Sequence, residues 1–351
     1  MISRIPIHFG QLSLHGGELV SVEIDMLVED QIYGAVEVTD ALLIELLQTP
    51  AINRLRGVHM GGIVGLLGAG PTATRYDHSV GTMLLVRRLG GGVEEQAAAL
   101  LHDVSHTALS HVIDFVLDTA TRQAFHDDQK QSYLMKTEVP AICERNGVDW
   151  RLLSDERCWP LLEQDPPRLC ADRVDYTWRD VEMLGILTKR DCEALTEALR
   201  IHDGRLAFVD AGAAVSFAEA YLACDELCWS NPSNIGLYVL TAKAIGIAMN
   251  RGAMSRNDLW ATDVELWAQV SNCSDPEVRQ IAARIQRDRS FLFDPNGDIH
   301  VTPKVRVIDP DVICDGHARP LSVIDAVWRE KKESYVRTKS GEWTLRIVDE
   351  M

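Results

Sequence analysis

Two histidines and two aspartates in this chain have the chemistry of a metal site. His102 and Asp103 are neighbours, while His78 lies upstream and Asp172 far downstream. Two imidazoles and two carboxylates give a mixed nitrogen and oxygen ligand set, suited to a catalytic divalent ion with positions open for water or substrate. Neighbouring residues on a helix point about 100° apart, so His102 and Asp103 can share an ion only if it lies close against their helix. The remaining ligands must come from other helices.

An isolated His-Asp pair is common, and it usually marks a surface pair or a helix end. Here the pair follows the run 93–101, whose alanines, leucines and glutamates favour a helix. The sequence therefore predicts that the pair lies at the inner end of a buried helix. A buried aspartate needs a partner for its charge. A metal ion is the partner that also accounts for the nearby His106 and His111.

Five segments, in this order, resemble the HD-domain phosphohydrolases, specifically the branch of the deoxynucleoside triphosphate triphosphohydrolases. These segments are residues 30–34, 49–56, 75–81, 102–111 and 172–180. The resemblance extends more weakly from about residue 28 to residue 325. The resemblance implies a mainly α fold that contains an HD-domain helical bundle. It also implies that His78, His102, Asp103 and Asp172 hold a metal ion.

The resemblance also implies which residues face the phosphate groups. His106 and His111 become phosphate ligands or proton donors, and His126-Asp127 is similar to the His-Glu pair that supports them in the family. Histidine suits this work because its ordinary pKa lies near neutrality. Asp127 is one methylene shorter than glutamate, so its contact differs. The alternative for His111 and His126 is a capping or core histidine, since the geometry that decides proton transfer is not visible in a sequence.

Basic residues near the metal motifs are candidates for phosphate binding. Arg75 precedes His78 by one helical turn, close enough to reach a phosphate at the metal. Its structural alternative is an ion pair with Asp77 or another acid. Arg173 and Arg179 are further candidates, and Arg179 could instead pair with a neighbouring carboxylate.

Residues that contact a sugar follow from the same resemblance. Tyr176 and Asp180 are four apart, on one helix face, and the resemblance places them at the sugar hydroxyl. Trp229 is a candidate for the pocket wall, with core packing as the alternative. Met60 stands at or near the position where deoxynucleotide-specific members carry a glutamine, and methionine cannot replace the hydrogen bonds of an amide. We therefore expect weak discrimination between deoxyribose and ribose, or a substrate outside the common deoxynucleoside triphosphates.

Composition indicates a cytoplasmic enzyme. With 52 acidic and 35 basic residues in 351, the formal charge is −17, which argues against a general nucleic-acid surface. The 8 cysteines are irregularly spaced and no signal peptide is evident, as expected of reduced thiols. The apolar stretch 235–249 is interrupted by Lys243 and predicts a buried helix, not a membrane span. A homo-oligomer is expected, although Tyr33 and Gln31 depart from the family pattern, and the allosteric sites and tetramer are not carried over.

Three regions follow from the pattern of hydrophobic residues. Residues 1–28 predict a small N-terminal β-hairpin, with alternation over 19–24. Residues 29–290 predict the helical domain, and residues 291–351 a small α+β appendage rich in strands. The clearest helices are predicted at 41–47, 78–89, 93–101, 213–227 and 264–285. In the appendage, strands are predicted at 301–308, 335–338 and 343–348, with one short helix near 323–331.

The sequence as a whole predicts a metal-dependent phosphohydrolase that cleaves a phosphate ester or anhydride, most simply in a nucleotide. One divalent ion is expected, and Mn, Fe, Mg, Zn, Co and Ni are not distinguished by this ligand set. A phosphatase or phosphodiesterase acting on another phosphorylated metabolite is the alternative enzyme. A nucleotide-binding regulator with a structural metal is less favoured, because a structural site would close its open positions with protein ligands.

Overall fold

The described part of the chain is mainly α-helical. A computed structural model describes residues 25–117 and 119–348, so most of the predicted hairpin over 1–28 lies outside the described residues. The helices, in chain order, are α1 Ala41–Leu47, α2 Pro50–Arg54, α3 Gly62–Leu66, α4 Arg75–Arg88, α5 Val93–Leu101, α6 Val112–Val116, α7 Phe125–Leu134, α8 Val139–Arg145, α9 Trp150–Leu153, α10 Ala171–Met183, α11 Lys189–Glu197, α12 Ala211–Cys224, α13 Pro232–Asn250, α14 Asp263–Ser271, α15 Pro276–Ala282, α16 Leu321–Ile324 and α17 Ala326–Lys339. Between 25 and 348, no described helix combines the length and apolar character needed to cross a bilayer.

The strands form three small sheets. They are β1 Met26–Asp30, β2 Gly34–Val38, β3 Leu199–His202, β4 Arg205–Phe208, β5 Phe291–Phe293, β6 Ile299–Val301, β7 Asp311–Cys314, β8 His317–Pro320 and β9 Trp343–Ile347. β1 and β2 are an antiparallel pair that runs past residue 28. The second sheet has the order β3-β4-β7-β8, in which β4 and β7 are parallel, and the third has the order β5-β9-β6. Because β4 pairs with β7, one sheet joins residues on both sides of the boundary predicted at 290.

Hydrophobic periodicity located the main helices correctly. α1 and α5 have the predicted bounds, α4 begins three residues earlier than predicted, and α13 contains the buried stretch 235–249. The single helix predicted over 264–285 is wrong, because the segment divides into α14 and α15. Pro276 stands at the first turn of α15, and the Asp275 carboxylate accepts hydrogen bonds from the backbone N–H groups of Glu277 and Val278. A proline preceded by a capping aspartate starts a new helix and cannot continue an old one.

The C-terminal region differs from its prediction in two places. The strand predicted at 335–338 is wrong, because these residues lie in α17, which begins at an Asp325 cap. The ring of Tyr335 is buried there, and its hydroxyl donates to Asp225 Oδ2 at 2.6 Å. The strand predicted at 301–308 is also wrong, since only Val301 belongs to β6, and residues 302–310 have neither helix nor strand. The strand predicted at 343–348 is confirmed as β9.

The helices α4, α5 and α10 form the part of the core that carries the candidate site. α4 starts at a capping box in which Thr74 and Asp77 satisfy each other's backbone N–H groups, and its sides are buried almost throughout. Gly90, with φ of +88°, allows the sharp turn that returns the chain as α5 against α4. A second apolar cluster packs α13, α14 and α15 against the β5-β9-β6 sheet. The candidate site therefore lies where three buried helix ends meet.

Candidate active site

Helix ends bring the four predicted metal ligands together. α5 ends at Leu101 and His102 is its C-cap, so the His-Asp pair lies at the inner end of a buried helix, as predicted. His78 follows the first turn of α4, and Asp172 lies in the first turn of α10. The buried run of alanine and leucine in α5 packs into the main apolar cluster and fixes the position of this end.

The donor atoms of these residues lie close together around the Nε2 atoms of the two histidines. His78 Nε2 lies 2.9 Å from Asp172 Oδ1 and 3.1 Å from His102 Nε2. His102 Nε2 lies 3.5 Å from Asp172 Oδ1. The two oxygens of Asp103 face different histidines, with Oδ2 3.7 Å from His78 Nε2 and Oδ1 3.7 Å from His102 Nε2. An ion with bonds of about 2.1 Å separates neighbouring ligands by roughly 3.0 to 3.4 Å. The observed spacings suit a divalent cation.

The other nitrogen of each imidazole fixes the orientation of its ring. His78 Nδ1 donates to Asp175 Oδ2 at 2.7 Å, and His102 Nδ1 donates to the Ala99 carbonyl at 2.6 Å. With Nδ1 carrying the proton, each Nε2 presents its lone pair to the site. This arrangement, in which a carboxylate or carbonyl holds a ligating histidine, is common around protein metals.

A chain of buried charges connects the site to the strand pair β1–β2. Asp175 pairs with Arg179 at 2.8 Å, and Arg179 also pairs with Asp30, at the end of β1, at 2.8 Å. Asp30 closes the turn to β2 by accepting from two backbone N–H groups. The segment 30–34 thus supports the site from a distance. Arg179 pairs with these carboxylates, as in the structural alternative to phosphate binding that the sequence analysis gave for it.

The electrostatics of the ligand cluster favour a bound cation. Burial lowers the pKa of His102, but Asp103 and Asp172 outweigh burial and raise that pKa to about 10. Burial likewise lowers the pKa of His78, and Asp172 and Asp175 raise it overall. Carboxylates that hold protons on both imidazoles would also hold a divalent ion, which would displace those protons. The donor set and its charge therefore fit a metal.

Arg75 is already engaged by one of the candidate ligands. Its Nη1 donates to Asp103 Oδ2 at 2.7 Å, and its Nε donates to Ser110 Oγ at 3.1 Å. Asp77 instead caps α4. Burial raises the pKa of Asp103, but Arg75 and the neighbouring histidines bring it well below its ordinary value. Arg75 thus keeps the carboxylate ionised beside the metal position.

His106, His111 and His126 form a compact cluster beside the metal position. The rings of His106 and His126 are stacked with centroids 3.8 Å apart, and His111 meets them edge-on at 5.0 and 5.6 Å. His106 Nε2 lies 3.2 Å from an Asp103 oxygen but is not aligned for a hydrogen bond. Within the described residues, His106 Nε2 and His126 Nδ1 are buried without a hydrogen-bond partner. Such atoms in a pocket point to a missing ligand.

These three imidazoles are neutral at pH 7, which differs from the expectation of a pKa near neutrality. Burial lowers the pKa of all three, to about 4 for His126. Arg75 adds to this effect at His106 and His111. Neutral imidazoles beside one another can each accept one hydrogen bond and donate one.

Asp127 and two residues missed by the sequence analysis support the cluster from one side. Asp127 Oδ1 lies 3.3 Å from His126 Nε2 and 3.4 Å from Lys130 Nζ. Lys130 is 2% exposed and also pairs with Glu156, which lines the same pocket. Glu156 lies in a one-turn helix far along the chain, and no motif marks it in the sequence.

One pocket of about 290 Å³ brings the predicted residues together. This volume is close to the lower bound of about 300 Å³ for small-molecule sites. Its lining includes Met60, Arg75, His102, Asp103, His106, His111, His126, Asp127, Asp172, Arg173, Tyr176, Asp180 and Trp229. His78 lies beneath this surface and is 1% exposed.

Aromatic side chains form another wall of the pocket. Tyr176 and Tyr221 share a hydrogen bond between their hydroxyls at 2.8 Å. Trp229 Nε1 donates to Asp180 Oδ2 at 2.6 Å, and burial raises the pKa of Asp180 to about 6. Arg173, facing the same pocket, pairs with Glu163 at 2.8 Å. Tyr221 and Glu163 were not predicted, because neither belongs to a recognisable motif.

Comparisons with known proteins agree with this geometry. The HD domain family matches residues 75–175. A Cordyceps militaris protein named metal-dependent phosphohydrolase cns2 is 35% identical over 324 residues, which cover 90% of this chain and 93% of that protein. The Danio rerio deoxynucleoside triphosphate triphosphohydrolase SAMHD1 is 27% identical over 145 residues, covering 37% of this chain and 23% of that protein. A phosphohydrolase crystal structure from Bacteroides thetaiotaomicron superposes with a TM-score of 0.64 at 15% identity, over 93% of this chain and 100% of that one.

Proposed function

The chain belongs to the HD-domain family of metal-dependent phosphohydrolases, and on that premise we propose that it hydrolyses a phosphate ester or anhydride of a nucleotide, with one divalent ion. One observation carries the proposal. The donor atoms of His78, His102 and Asp103 converge, with Asp172 Oδ1 2.9 Å from His78 Nε2, beside a pocket that, among the described residues, also holds buried imidazole nitrogens without a hydrogen-bond partner.

The ligand set would hold the ion at the inner end of α5. A divalent ion bound there polarises a phosphoryl oxygen and lowers the pKa of a bound water. Arg75, one helical turn before His78, lines the same pocket and adds positive charge beside the phosphoryl group. The ion pair with Asp103 fixes the Arg75 guanidinium before substrate arrives.

The neutral histidines have the protonation state that proton transfer and hydrogen bonding need. A neutral imidazole can donate its N–H to a phosphoryl or leaving-group oxygen, or accept a proton from attacking water. His111 Nδ1 hydrogen-bonds to Asp114 Oδ2 at 3.1 Å, which orients that ring. Asp127 Oδ1 lies 3.3 Å from His126 Nε2. We propose that His106, His111 and His126, with Asp127, form the catalytic group beside the metal.

The aromatic wall supports a nucleoside as the rest of the substrate. Tyr176 and Asp180 present polar atoms at this wall, and Trp229 offers a face to a base or sugar. The partial relationship to a deoxynucleoside triphosphate triphosphohydrolase also favours a nucleotide. Because Met60 lines the pocket without an amide, we propose weak preference for deoxyribose over ribose.

A phosphatase or phosphodiesterase acting on another metabolite is the second candidate, and the charge of the pocket favours it. Arg75 and Arg173 are each paired with a protein carboxylate. A triphosphate chain would have to compete with those carboxylates for both guanidinium groups. A substrate with fewer phosphates demands less free positive charge.

The test is metal analysis of the purified protein, followed by a panel of nucleotides and simple phosphate esters with phosphate, pyrophosphate and triphosphate resolved as products. Ribo and deoxyribo nucleotides are compared as matched pairs. We expect activity that requires the metal and a deoxyribose preference well below about 10³-fold. Greater discrimination would contradict the weak sugar preference, and a metal-loaded protein inactive on the whole panel would contradict the proposed function.

A matched control comes from a second His-Asp pair in the chain. His102→Ala with Asp103→Ala should lose the metal and the activity together. His202 and Asp203 are also adjacent, but His202 ends β3, and Asp203 lies in the turn to β4 and is largely exposed. His202→Ala with Asp203→Asn should keep both properties. Stoichiometric metal in the first double variant would overturn the ligand assignment.

We also propose a cytoplasmic homo-oligomer. The expectation comes from the family resemblance and from the free cysteines, most of which are buried. Sedimentation equilibrium of the metal-loaded protein would measure the assembly, and a monomer at micromolar concentration would contradict it.

A further inference from the structure

A segment of the C-terminal region crosses the candidate active site. Residues 302–310, here called the strap segment, connect β6 to β7 without forming a helix or strand. Both ends are fixed, because β6 pairs with β9 and β7 pairs with β4. Asp309 fixes the C-terminal end of the strap segment further. Asp309 N–H donates to the Pro167 carbonyl at 2.8 Å, and the Asp309 carboxylate accepts from Ser322 N–H at 2.9 Å.

The middle of the strap segment lines the pocket. Residues 304–307 all contribute to its surface, together with the histidine cluster and Arg173. Two of these four residues, Lys304 and Arg306, are cationic. Neither belongs to a segment that resembles the family motifs, and both reach the pocket only because the strap segment is anchored to two sheets.

Lys304 pairs with no carboxylate in the part of the chain that the structure describes. Its side chain is half-buried, yet among the described residues its ammonium group makes no hydrogen bond and lies within 4 Å of no carboxylate. Burial lowers the pKa of Lys304, and the positive charges of Arg306 and Arg173 lower that pKa further. Asp172 and Glu163 oppose this effect, but their carboxylates are already engaged by His78 and Arg173.

Arg306 is held in place by a neutral group. Its Nη2 donates to Gln123 Oε1 at 2.7 Å, and its Nη1 lies 4.0 Å from Asp225 Oδ1. A hydrogen bond to an amide orients the guanidinium and leaves its charge in the pocket. Two cations side by side in a partly desolvated pocket repel each other, and an anion between or beside them removes that repulsion.

We propose that Lys304 binds an anionic phosphate oxygen of the substrate, with Arg306 adding a second positive charge, so that the strap segment is part of the substrate site. The proposal rests on the proposed function, since it assumes a phosphorylated substrate. It extends that function by assigning a specificity-determining residue outside the metal motifs. Lys304 would add an unpaired positive charge to those of Arg75 and Arg173, which are each paired with a carboxylate.

The experiment measures binding of inorganic phosphate and of inorganic tripolyphosphate to the metal-loaded, full-length protein by calorimetry. Lys304→Met removes the charge and keeps an apolar stem of similar length, while Lys304→Arg keeps the charge. Lys136→Met, at an exposed position after α7, is the matched control. The comparison uses whichever of the two probes the wild type binds more tightly. We expect Lys304→Met to lower the affinity for that probe by about tenfold, and the affinity of Lys304→Arg to lie within about threefold of that of the wild type. Lys136→Met should bind like the wild type.

Two further readouts separate a ligand contact from a structural role. Metal content and melting temperature should match the wild type in Lys304→Met, because the lysine holds no other described side chain. If that variant lost metal or melted early, Lys304→Gln would become the decisive variant, and the same loss in both would overturn the proposal. Binding by Lys304→Met within twofold of wild type, or failure of wild type to bind either probe, would also overturn it.

The outcome is distinguishable from failure of the proposed function. A wild type that binds phosphate through Lys304 yet hydrolyses nothing in the substrate panel keeps the present inference and refutes the hydrolase. If the wild type hydrolyses nucleotides, and Lys304→Met binds phosphate and hydrolyses nucleotides equally well, the hydrolase proposal stands and the present inference is refuted.

Discussion

Each histidine of the proposed metal site is oriented by a hydrogen bond made by Nδ1, on the side of the ring away from the proposed ion position. For His78 the acceptor is a buried carboxylate, and for His102 it is a main-chain carbonyl. The carboxylate is the more vulnerable of the two, because a single substitution removes its charge. A carboxylate that accepts from the Nδ1 proton also makes Nε2 a better ligand. Asp175 therefore matters to metal affinity although it does not face the pocket.

Asp175→Asn tests this role. The amide keeps the size of the side chain but loses the charge that orients His78 and pairs with Arg179. We expect metal affinity, measured by competition with a chelator, to fall by about 10- to 100-fold. Asp263→Asn is the control, because Asp263 is also buried and accepts from a histidine, His59, outside the metal site. Equal metal affinity in wild type and Asp175→Asn would show that the hydrogen bond to His78 has no such effect.

His111→Ala separates a hydrolase from a nucleotide-binding regulator. His111 belongs to the cluster beside the metal position but supplies no ligand to it. If it donates to the phosphate or its leaving oxygen, turnover should fall by about 10²-fold while metal content stays near that of the wild type. His317→Ala, exposed on β8, should change neither quantity. Unchanged turnover in His111→Ala would return that residue to a structural role.

Among the elements, α4 has to pass very close to α10. Gly81 of α4 faces the Asp175–Arg179 pair, and a Cβ placed on it would collide with both side chains. The glycine thus has a packing reason within a buried helix. Its lack of a side chain is what lets the charge pair reach His78 on the same helix.

Gly81→Ala should lower both stability and metal content. The helix propensity of alanine would favour the variant by roughly 1 kcal/mol. Displacing a buried ion pair and overpacking the helix contact costs about 1 to 3 kcal/mol, and more when charges lose their partners. Chemical denaturation and metal analysis measure the two effects. Gly246→Ala on α13 is the control, since the nearest atom to its added Cβ lies at 4.0 Å. If Gly81→Ala had the stability and metal content of the wild type, the close packing of Gly81 against Asp175 and Arg179 would be refuted.

Elements with a regular hydrophobic period were predictable from the sequence, and those that depend on distant partners were not. α5 and its terminal His102-Asp103 follow from local composition, and His78 and Asp172 from motif context. Residues 335–338 contain β-prone types, yet they continue a helix because Tyr335 finds Asp225 across the molecule. Lys304 carries no local signal at all. It reaches the pocket through the pairing of β7 with β4, a contact between residues about a hundred positions apart.

For the molecule as a whole, two buried histidines, His126 and His102, link stability to pH. The folded protein keeps His126 neutral, because burial lowers its pKa to about 4 from the ordinary value of 6.5. Between these two pH values the unfolded chain binds a proton that the folded protein does not, so stability falls as pH falls from 6.5 toward 4. In the metal-free protein His102, with its raised pKa, has the opposite effect: it contributes stability below pH 6.5 that is lost as pH rises through about 10.

His126→Gln isolates the acid-side effect. At pH 5, the lowered pKa of His126 accounts for about 2 kcal/mol of lost stability relative to pH 7.5. The difference in unfolding free energy between these two pH values should therefore shrink by about that amount in the variant. Denaturant titrations of metal-loaded wild type and variant give both numbers. Identical pH dependence in the two proteins would mean that His126 is not held neutral by the fold.

The chain of charges from Asp30 through Arg179 and Asp175 to His78 also has a consequence for biosynthesis. Its members, and the ligands themselves, come from β1, α4, α5 and α10, so no early part of the nascent chain can assemble the centre. Until α10 has left the ribosome and docked, His78 has neither its orienting carboxylate nor Asp172 beside it. Ion capture would then be a late event in maturation, after the docking of α10.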